Sequence, residues 1–390
     1  MKILQVVPYF VPAWDYGGPV SSVYNMSKQL VKRGHEVTVY TTDALNAKSR
    51  LRERVETLDG IEVRRFRNFS NTMAYHYNVF LSPGMISATK KEISSFDIIH
   101  LNEYRTVQNV VISRYARIYG TPYILQARGS LPRIITRRGL KKVYDNIWGY
   151  RLLKDAIKVI AITQTETEQY KRMQVSEDKI EIVPNGVDLT EFSSLPPRGE
   201  FKEKWGISNS HKMVLFLSRI HQIKGLDILV QAFAKLLKTT DDVKLVIAGP
   251  DDGYLPPLKE MIKESSIAES VILTGPLYGR EKLAAYVDAE VYVLPSSYDI
   301  FGITVLEACA CGTPVIVTDR CGIANAIDDK AGTCIPYDNQ ALFEAIRDIL
   351  GDNDRRQEFG KKGKSLVNDR FNWDKIGGQI EDIYLRCCER

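Results

Sequence analysis

Ser297-Tyr-Asp-Ile-Phe-Gly-Ile-Thr-Val-Leu-Glu-Ala-Cys-Ala-Cys-Gly-Thr-Pro-Val-Ile-Val-Thr318 says more than any other stretch of this chain. Two carboxylates, Asp299 and Glu307, stand eight positions apart, with Phe301 and Gly302 between them where a loop turns into a helix. A helix starting near Gly302 puts Glu307 on its second turn and leaves Asp299 in the loop beyond the N-terminus. The N–H groups of Phe301, Gly302 and Ile303 then point into one space, and the helix dipole adds partial positive charge there. Anion donors flanked by two hydroxyl-binding carboxylates suit a sugar that carries a phosphate. A capped helix in a Rossmann-like layer, with Glu307 on its wet face, explains the same spacing.

Upstream of this stretch, Met213–Leu217, Val243–Ala248, Val271–Thr274 and Val291–Leu294 read as short buried strands, and Pro314–Thr318 closes the series. Each is followed by a Gly or Pro break and a helical stretch, as at Leu226–Leu237. The first half of the chain has the same rhythm. Lys2–Pro8, Glu36–Thr41, Ile61–Phe66, Ile98–Leu101, Pro122–Gln126, Val159–Ala161 and Ile180–Val183 read as strands, and Pro19–Arg33 has helical spacing. Such alternation predicts two doubly wound parallel sheets. Leu195-Pro-Pro-Arg-Gly199 reads as the linker, giving units of about 1–192 and 193–370.

Three further motifs sit where strands end. Gly17-Gly18-Pro19 opens the first helix, with Pro at a favourable position and glycine allowing close backbone approach. A tight strand-to-helix turn is the plainer account, and no dinucleotide or Walker A fingerprint is present. Ser218-Arg219-Ile-His-Gln-Ile-Lys224-Gly225 places two cations across one loop, where both can meet a diphosphate. Asp251-Asp252 and Asp352-x-Asp354 mimic metal motifs but read as polar turns.

Taken together, these motifs resemble the retaining nucleotide-sugar glycosyltransferases of family four, which have the GT-B architecture. The resemblance spans essentially the whole chain and is strongest from about Leu215 to Gly322. The family pattern is Glu, seven residues, Glu, with Phe-Gly after the first and a small-residue helix leading to Gly-x-Pro-Val. Here Glu307 keeps the second position and Asp299 replaces the first, one methylene shorter. The family's Gly-Arg-x-x-x-x-Lys-Gly appears with Ser218 in place of the first Gly, and Arg128 stands near a position where relatives often carry His-Gly.

The resemblance implies two Rossmann-like domains with a cleft between them, and a last helix, 371–390, returning to the first domain. It assigns catalysis to Arg219, Lys224, Asp299 and Glu307, with Glu307 on the ribose and Asp299 on a sugar hydroxyl. It assigns donor binding to Gly17, Gly18, Leu277, Phe301, Gly302 and Ile303. No metal or other cofactor is expected, because cationic side chains and helix N-termini carry the phosphate charge. Acceptor or sugar contacts fall to Arg128, His100, Asn102 and Glu103. Arg128 is open to binding phosphate, binding an acidic acceptor, or joining a basic segment, and a hydrogen-bonded core role also accounts for His100. A GT-B epimerase or phosphorylase is a rival reading, the latter lacking a pyridoxal-lysine context. A noncatalytic sugar-nucleotide-binding protein is another, since Asp299 and Arg128 depart from the family.

Bulk properties bound the partners. The 390 residues are 44% hydrophobic and 26% charged, ordinary for a globular protein. Net charge is +5, which does not imply nucleic acid. The charge is uneven, however. Arg128, Arg133, Arg137, Arg138, Lys141, Lys142, Arg151, Lys154 and Lys158 face only Asp145 and Asp155, with Leu131, Ile134, Ile135, Leu140, Val143, Ile147 and Trp148 interleaved. Such a segment suits an anionic membrane surface or an acidic acceptor, or else a solvated helix with a packed underside. All six cysteines fall in the last third without zinc spacing, and Met1–Pro8 reads as a strand and not a signal peptide. A cytoplasmic protein is expected, with peripheral contact at the inner membrane face and a glycan or lipid-linked acceptor.

Overall fold

The computed structural model describes residues 1–46, 48–77, 79–133 and 138–389. It divides into two compact units, Met1–Asn185 with Trp373–Arg390, and Gly186–Asn372. Leu195–Gly199 lies within the second unit. The N–H groups of Gly199, Phe201 and Lys202 all donate to the buried Asp288 carboxylate, at 2.5, 2.9 and 2.9 Å, and fasten this stretch there.

Unit 1 is built on eight strands: β1 (Lys2–Val6), β2 (Glu36–Thr42), β3 (Val55–Leu58), β4 (Ile61–Phe66), β5 (Ile98–Asn102), β6 (Tyr123–Gln126), β7 (Lys158–Ala161) and β8 (Ile180–Ile182). They lie in the order β3-β4-β2-β1-β5-β6-β7-β8, parallel except for the β3–β4 pair. Helices cover both faces, which is why β1, β2 and β5 are buried almost throughout. On one face, Val20, Val23, Met26 and Leu30 of the helix Gly18–Lys32 pack with Trp373, Ile376, Ile380 and Ile383 of the helix Trp373–Cys388.

Unit 2 has six parallel strands: β9 (Lys212–Leu217), β10 (Val243–Ala248), β11 (Val271–Gly275), β12 (Val291–Leu294), β13 (Val315–Thr318) and β14 (Gly332–Ile335). Their order is β11-β10-β9-β12-β13-β14. The winding reverses between β9 and β12, and in unit 1 between β1 and β5. In open α/β sheets ligands collect outside the carboxyl ends of the strands at such a reversal. Among the described residues, no helix is long and apolar enough to cross a membrane.

Candidate active site

The loops that leave β9 and β12 lock together at the reversal in unit 2. After β9 a short 3-10 turn, Gln222–Lys224, is capped by His221, whose ring accepts from Ile223 N–H at 3.2 Å. Gly225 ends it with φ 71°, and a Cβ there would sit 1.8 Å from the Pro295 carbonyl oxygen. Only glycine allows this approach. Ser297 completes the lock by donating its N–H and hydroxyl to Ile223 O at 2.9 and 3.2 Å. The lock aims Lys224 at Asp299: Nζ lies 2.6 Å from Oδ2, with both side chains about 10% exposed. Asp299 is strapped by its own backbone to Arg320 and Gly322. Burial pushes its carboxyl up, but Lys224, the Phe301 N–H and Arg219 outweigh burial and hold it below the ordinary carboxylate range.

The helix Ile303–Cys311 begins after Gly302, which caps it at φ 81°. The structure departs from the sequence expectation at Phe301. The Phe301 N–H is not free for a ligand, because it donates to Asp299 Oδ1 at 3.1 Å, and the Phe301 ring is buried. The amide-lined mouth is therefore left to Gly302 and Ile303. Glu307 lies on the second turn, but not on a wet face. Its oxygens accept from Lys282 Nζ at 2.8 Å and Tyr286 OH at 3.0 Å, both on the helix Gly279–Asp288. Burial pushes Lys282 down, yet Glu307 more than offsets this and holds the ammonium above its ordinary value. Lys282 and Tyr286 escaped the sequence reading, although their i, i+4 spacing puts them on one helix face.

Arg219 is half exposed and pairs with Asp252 at 2.5 Å. Solvent-exposed pairs of this kind contribute roughly 0–1 kcal/mol, so little free energy holds Arg219 to Asp252. Asp251 is a turn residue, its Oδ1 accepting from the N–H groups of Gly253, Tyr254 and Leu255. Asp352 likewise caps the helix Asn353–Arg370 through Arg355 N–H. Among the described residues no three His, Cys, Asp or Glu side chains gather as a metal set. All six cysteines are free thiols, and burial pushes those of Cys309 and Cys311 up to about 12. Leu277 is buried just past β11.

In unit 1, Gly17 (φ 86°) precedes the helix that Gly18 starts, and a Cβ on Gly17 would meet open space. The strand ends facing this helix hold a polar cluster. Arg128 is buried with φ 51°, donating to Asn102 Oδ1 and Asn185 Oδ1 at 3.0 Å each. It therefore does not belong to the basic surface segment. Asn102 is not an open contact group either: it is fully buried, and its amide donates to Gln5 and Val6. His100 is also fully buried, with Nδ1 2.6 Å from Tyr384 OH, and burial and Arg128 push its pKa well down. It is a neutral core histidine. Of the four acceptor-side candidates only Glu103 keeps an exposed edge; Tyr9 OH donates to it at 3.1 Å.

Glu166, which the sequence reading missed, bridges two strand ends. Its oxygens accept from Gly129 N–H at 2.5 Å and Ile162 N–H at 2.8 Å. Thr163-x-x-Glu166 is a helix-capping pattern, and Thr163 does accept from Glu166 N–H, which is the signal available in the sequence. Burial raises Glu103 and Glu166 from an ordinary 4.5 to about 7, against the lowering effect of Arg128. Between those values the folded chain keeps protons that the unfolded chain has lost. These two groups therefore make stability fall as pH rises from about 4.5 to about 7. Melting temperatures of the protein and of Glu166→Gln across that range check this; the variant should show a shallower fall, and an identical profile would contradict it.

The basic segment splits. Arg133, with Arg105, neutralises the fully buried Asp145, and Arg151 pairs with Asp155. Ile134, Ile135 and Arg137 lie outside the described residues. Leu140, Val143, Ile147 and Trp148 are not a packed underside. All four are exposed, beside exposed Arg138, Lys142, Arg151 and Lys154.

Two parallel-sheet α/β units carrying these loops define a glycosyltransferase of the GT-B fold. Residues 16–191 match the family model for Glycosyltransferase Family 4, and residues 197–366 match that for Glycosyl transferases group 1. The chain belongs to the family-four glycosyltransferases. It is 27% identical to an uncharacterized glycosyltransferase of Methanocaldococcus jannaschii, over 98% of each chain. It is 28% identical to an alpha-monoglucosyldiacylglycerol synthase of Streptococcus pneumoniae, over 94% of this chain and 82% of that one. The crystal structure of Anabaena Alr3699/HepE in complex with UDP and glucose superposes with a TM-score of 0.80 at 18% identity, over 99% of this chain and 100% of that one.

Proposed function

We propose that this glycosyltransferase takes its sugar from a nucleoside diphosphate sugar bound to unit 2 and passes it to a hydroxyl with retention at the anomeric carbon. The observation that carries the reading is the buried Lys224, 2.6 Å from Asp299 at the sheet reversal, with the half-exposed Arg219 on the same loop. Departure of the nucleoside diphosphate concentrates negative charge on its oxygens. Lys224, Arg219 and the amides of Gly302 and Ile303 are fixed before that charge appears, and preorganised charges of this kind supply a large part of a catalytic effect. They fill the place of a divalent cation, so the reaction needs none.

Asp299 is engaged by Lys224 and Phe301 N–H and serves as a hydroxyl acceptor, not a nucleophile. The leaving phosphate takes the acceptor proton on the face from which it departs. Each Glu307 oxygen keeps a lone pair beyond its bonds to Lys282 and Tyr286, which suits ribose hydroxyls. The test is thermal denaturation with a panel of nucleoside diphosphates, UDP first, in the presence of a chelator. One of them at 100 times its Kd should add about 2.7 kcal/mol to the folded state. A flat response to every nucleotide would overturn the reading.

The acceptor in this reading is a lipid-linked or glycan hydroxyl at an anionic membrane. The support is the exposed face on which Leu140, Val143, Ile147 and Trp148 stand among arginines and lysines. Co-sedimentation with anionic vesicles at low salt, lost at about 1 M salt where screening shortens to about 3 Å, is the expected result. Indifference to anionic vesicles at low salt would remove the membrane from the account.

A further inference from the structure

Glu307 is the one charged residue of the helix Ile303–Cys311, whose other buried positions are all apolar. Its carboxylate is held on both oxygens from a single neighbouring helix. Lys282 Nζ lies 2.8 Å from Oε1, and Tyr286 OH donates to Oε2 at 3.0 Å. The two donors stand at i and i+4 of the helix Gly279–Asp288 and so share one face of it. Tyr286 cannot swing away. It is fully buried, its ring packs edge-on against Tyr292 at 5.7 Å, and its carbonyl accepts from the Thr313 hydroxyl at 2.6 Å. Thr313 in turn donates its N–H to Ala308 O at 2.9 Å, which ties the two helices together one turn beyond Glu307. The Glu307 side chain is still 15% exposed, so an edge of the carboxylate stays open.

As a tie between helices this arrangement is an uneconomical one. A mostly buried ion pair stabilises no more than apolar side chains of similar size, and apolar residues fill the rest of the helix. What the arrangement does supply is a hydroxyl acceptor of fixed direction. An ionised carboxylate has about four lone-pair sites, and Lys282 and Tyr286 occupy two of them. A mobile glutamate gives up its rotamer freedom when a ligand binds, whereas this one has given it up on folding. Lys282 also brings a positive charge up to Glu307, the stronger of its two acidic neighbours, Glu191 being the other. The pair is neutral as a whole and does not repel a diphosphate as a lone carboxylate does.

Resting on the reading of Glu307 as the ribose residue, we infer that Lys282 and Tyr286 are positioning residues for that contact. They hold the Glu307 carboxylate so that its open lone pairs accept from the vicinal 2′- and 3′-hydroxyls of a ribonucleoside diphosphate. The preference of the protein for ribonucleotides over nucleotides lacking both hydroxyls therefore depends on two side chains that do not touch the sugar.

Uridine, guanosine and adenosine diphosphates, each beside its 2′,3′-dideoxy counterpart, are titrated calorimetrically into the whole protein. For the base it binds, the native chain should prefer the ribonucleotide by about 10- to 100-fold. Tyr286→Phe removes one hydroxyl and keeps the ring; Lys282→Met removes the ammonium and keeps the stem. Each should cut that preference about fivefold, as the carboxylate regains rotamer freedom. The preference is a ratio of two affinities, so a general loss of stability or of diphosphate binding leaves it unmoved. If Lys282→Met strands Glu307 and fails to fold, Tyr286→Phe alone decides. No binding of any of the three diphosphates would overturn the donor reading and this inference with it. Equal native affinity for ribo- and dideoxynucleotides would remove Glu307 from the ribose. A native preference carried unchanged through the variants would leave that contact in place and overturn the positioning role alone.

Discussion

Lys224→Ala lowers turnover by on the order of 10²–10³-fold, the scale on which one preorganised charge-stabilising donor acts. Its Nζ is fixed 2.6 Å from Asp299 by a loop that cannot relax, because Gly225 is pressed against the Pro295 carbonyl. Removing the ammonium has a second consequence. Asp299 stays buried without its cation, and breaking a buried pair on one side costs about 3–5 kcal/mol. Loss of activity through unfolding is separable from loss of charge. The double variant Lys224→Met/Asp299→Asn removes both members, so it should recover most of the melting temperature while turnover stays low. Steady-state kinetics and thermal denaturation of the three proteins check this. Unchanged turnover in Lys224→Ala would take Lys224 out of the charge-stabilising set.

Glu307→Leu has the second largest effect, on binding and stability together. A charged hydrogen bond contributes about 1.5–3 kcal/mol, so loss of one ribose contact weakens nucleoside diphosphate binding about 10- to 100-fold. The same change strands Lys282, whose side chain is 19% exposed and has Glu307 as its salt-bridge partner. A further loss of about 3–5 kcal/mol in stability follows. Glu307→Gln splits the two effects. Its carbonyl still accepts from Lys282, so it should fold better than the leucine variant while still binding nucleotide more weakly than the native chain. Calorimetric titration decides; native affinity in Glu307→Gln would leave the carboxylate without a role at the ribose.

Those parts of the fold that rest on strands rich in β-branched and aromatic residues were plain in the sequence. Ile61–Phe66, Val243–Ala248 and Val291–Leu294 occupy the stretches their composition indicated. Two edge strands were not. β3, Val-Glu-Thr-Leu, alternates exposed and half-buried positions and pairs antiparallel with β4; β14, Gly-Thr-Cys-Ile, is short and opens with glycine. Neither resembles the doubly covered strands whose signal is continuous hydrophobicity. At the site, the motif residues Arg219, Lys224, Asp299 and Glu307 were legible because they recur at set spacings within single loops. Their partners were not. Lys282 and Tyr286 meet Glu307 from another helix, and Glu166 meets Gly129 across thirty-seven positions of sequence. Spacing within one element says nothing of such contacts. The same limit explains the corrected first-unit candidates. His100 and Asn102 stand at the end of a strand, where polar residues usually face a ligand, but here they face Tyr384, Gln5 and Arg128.

A crystal structure with a bound nucleoside diphosphate sugar, grown without added metal, tests the account most directly. The diphosphate oxygens should lie within hydrogen-bond distance of Lys224 Nζ and the Arg219 guanidinium, with Arg219 released from Asp252 and the ribose on Glu307. A nucleotide lodged away from these side chains, or one ordered only when a divalent cation bridges it to the protein, would contradict the claim.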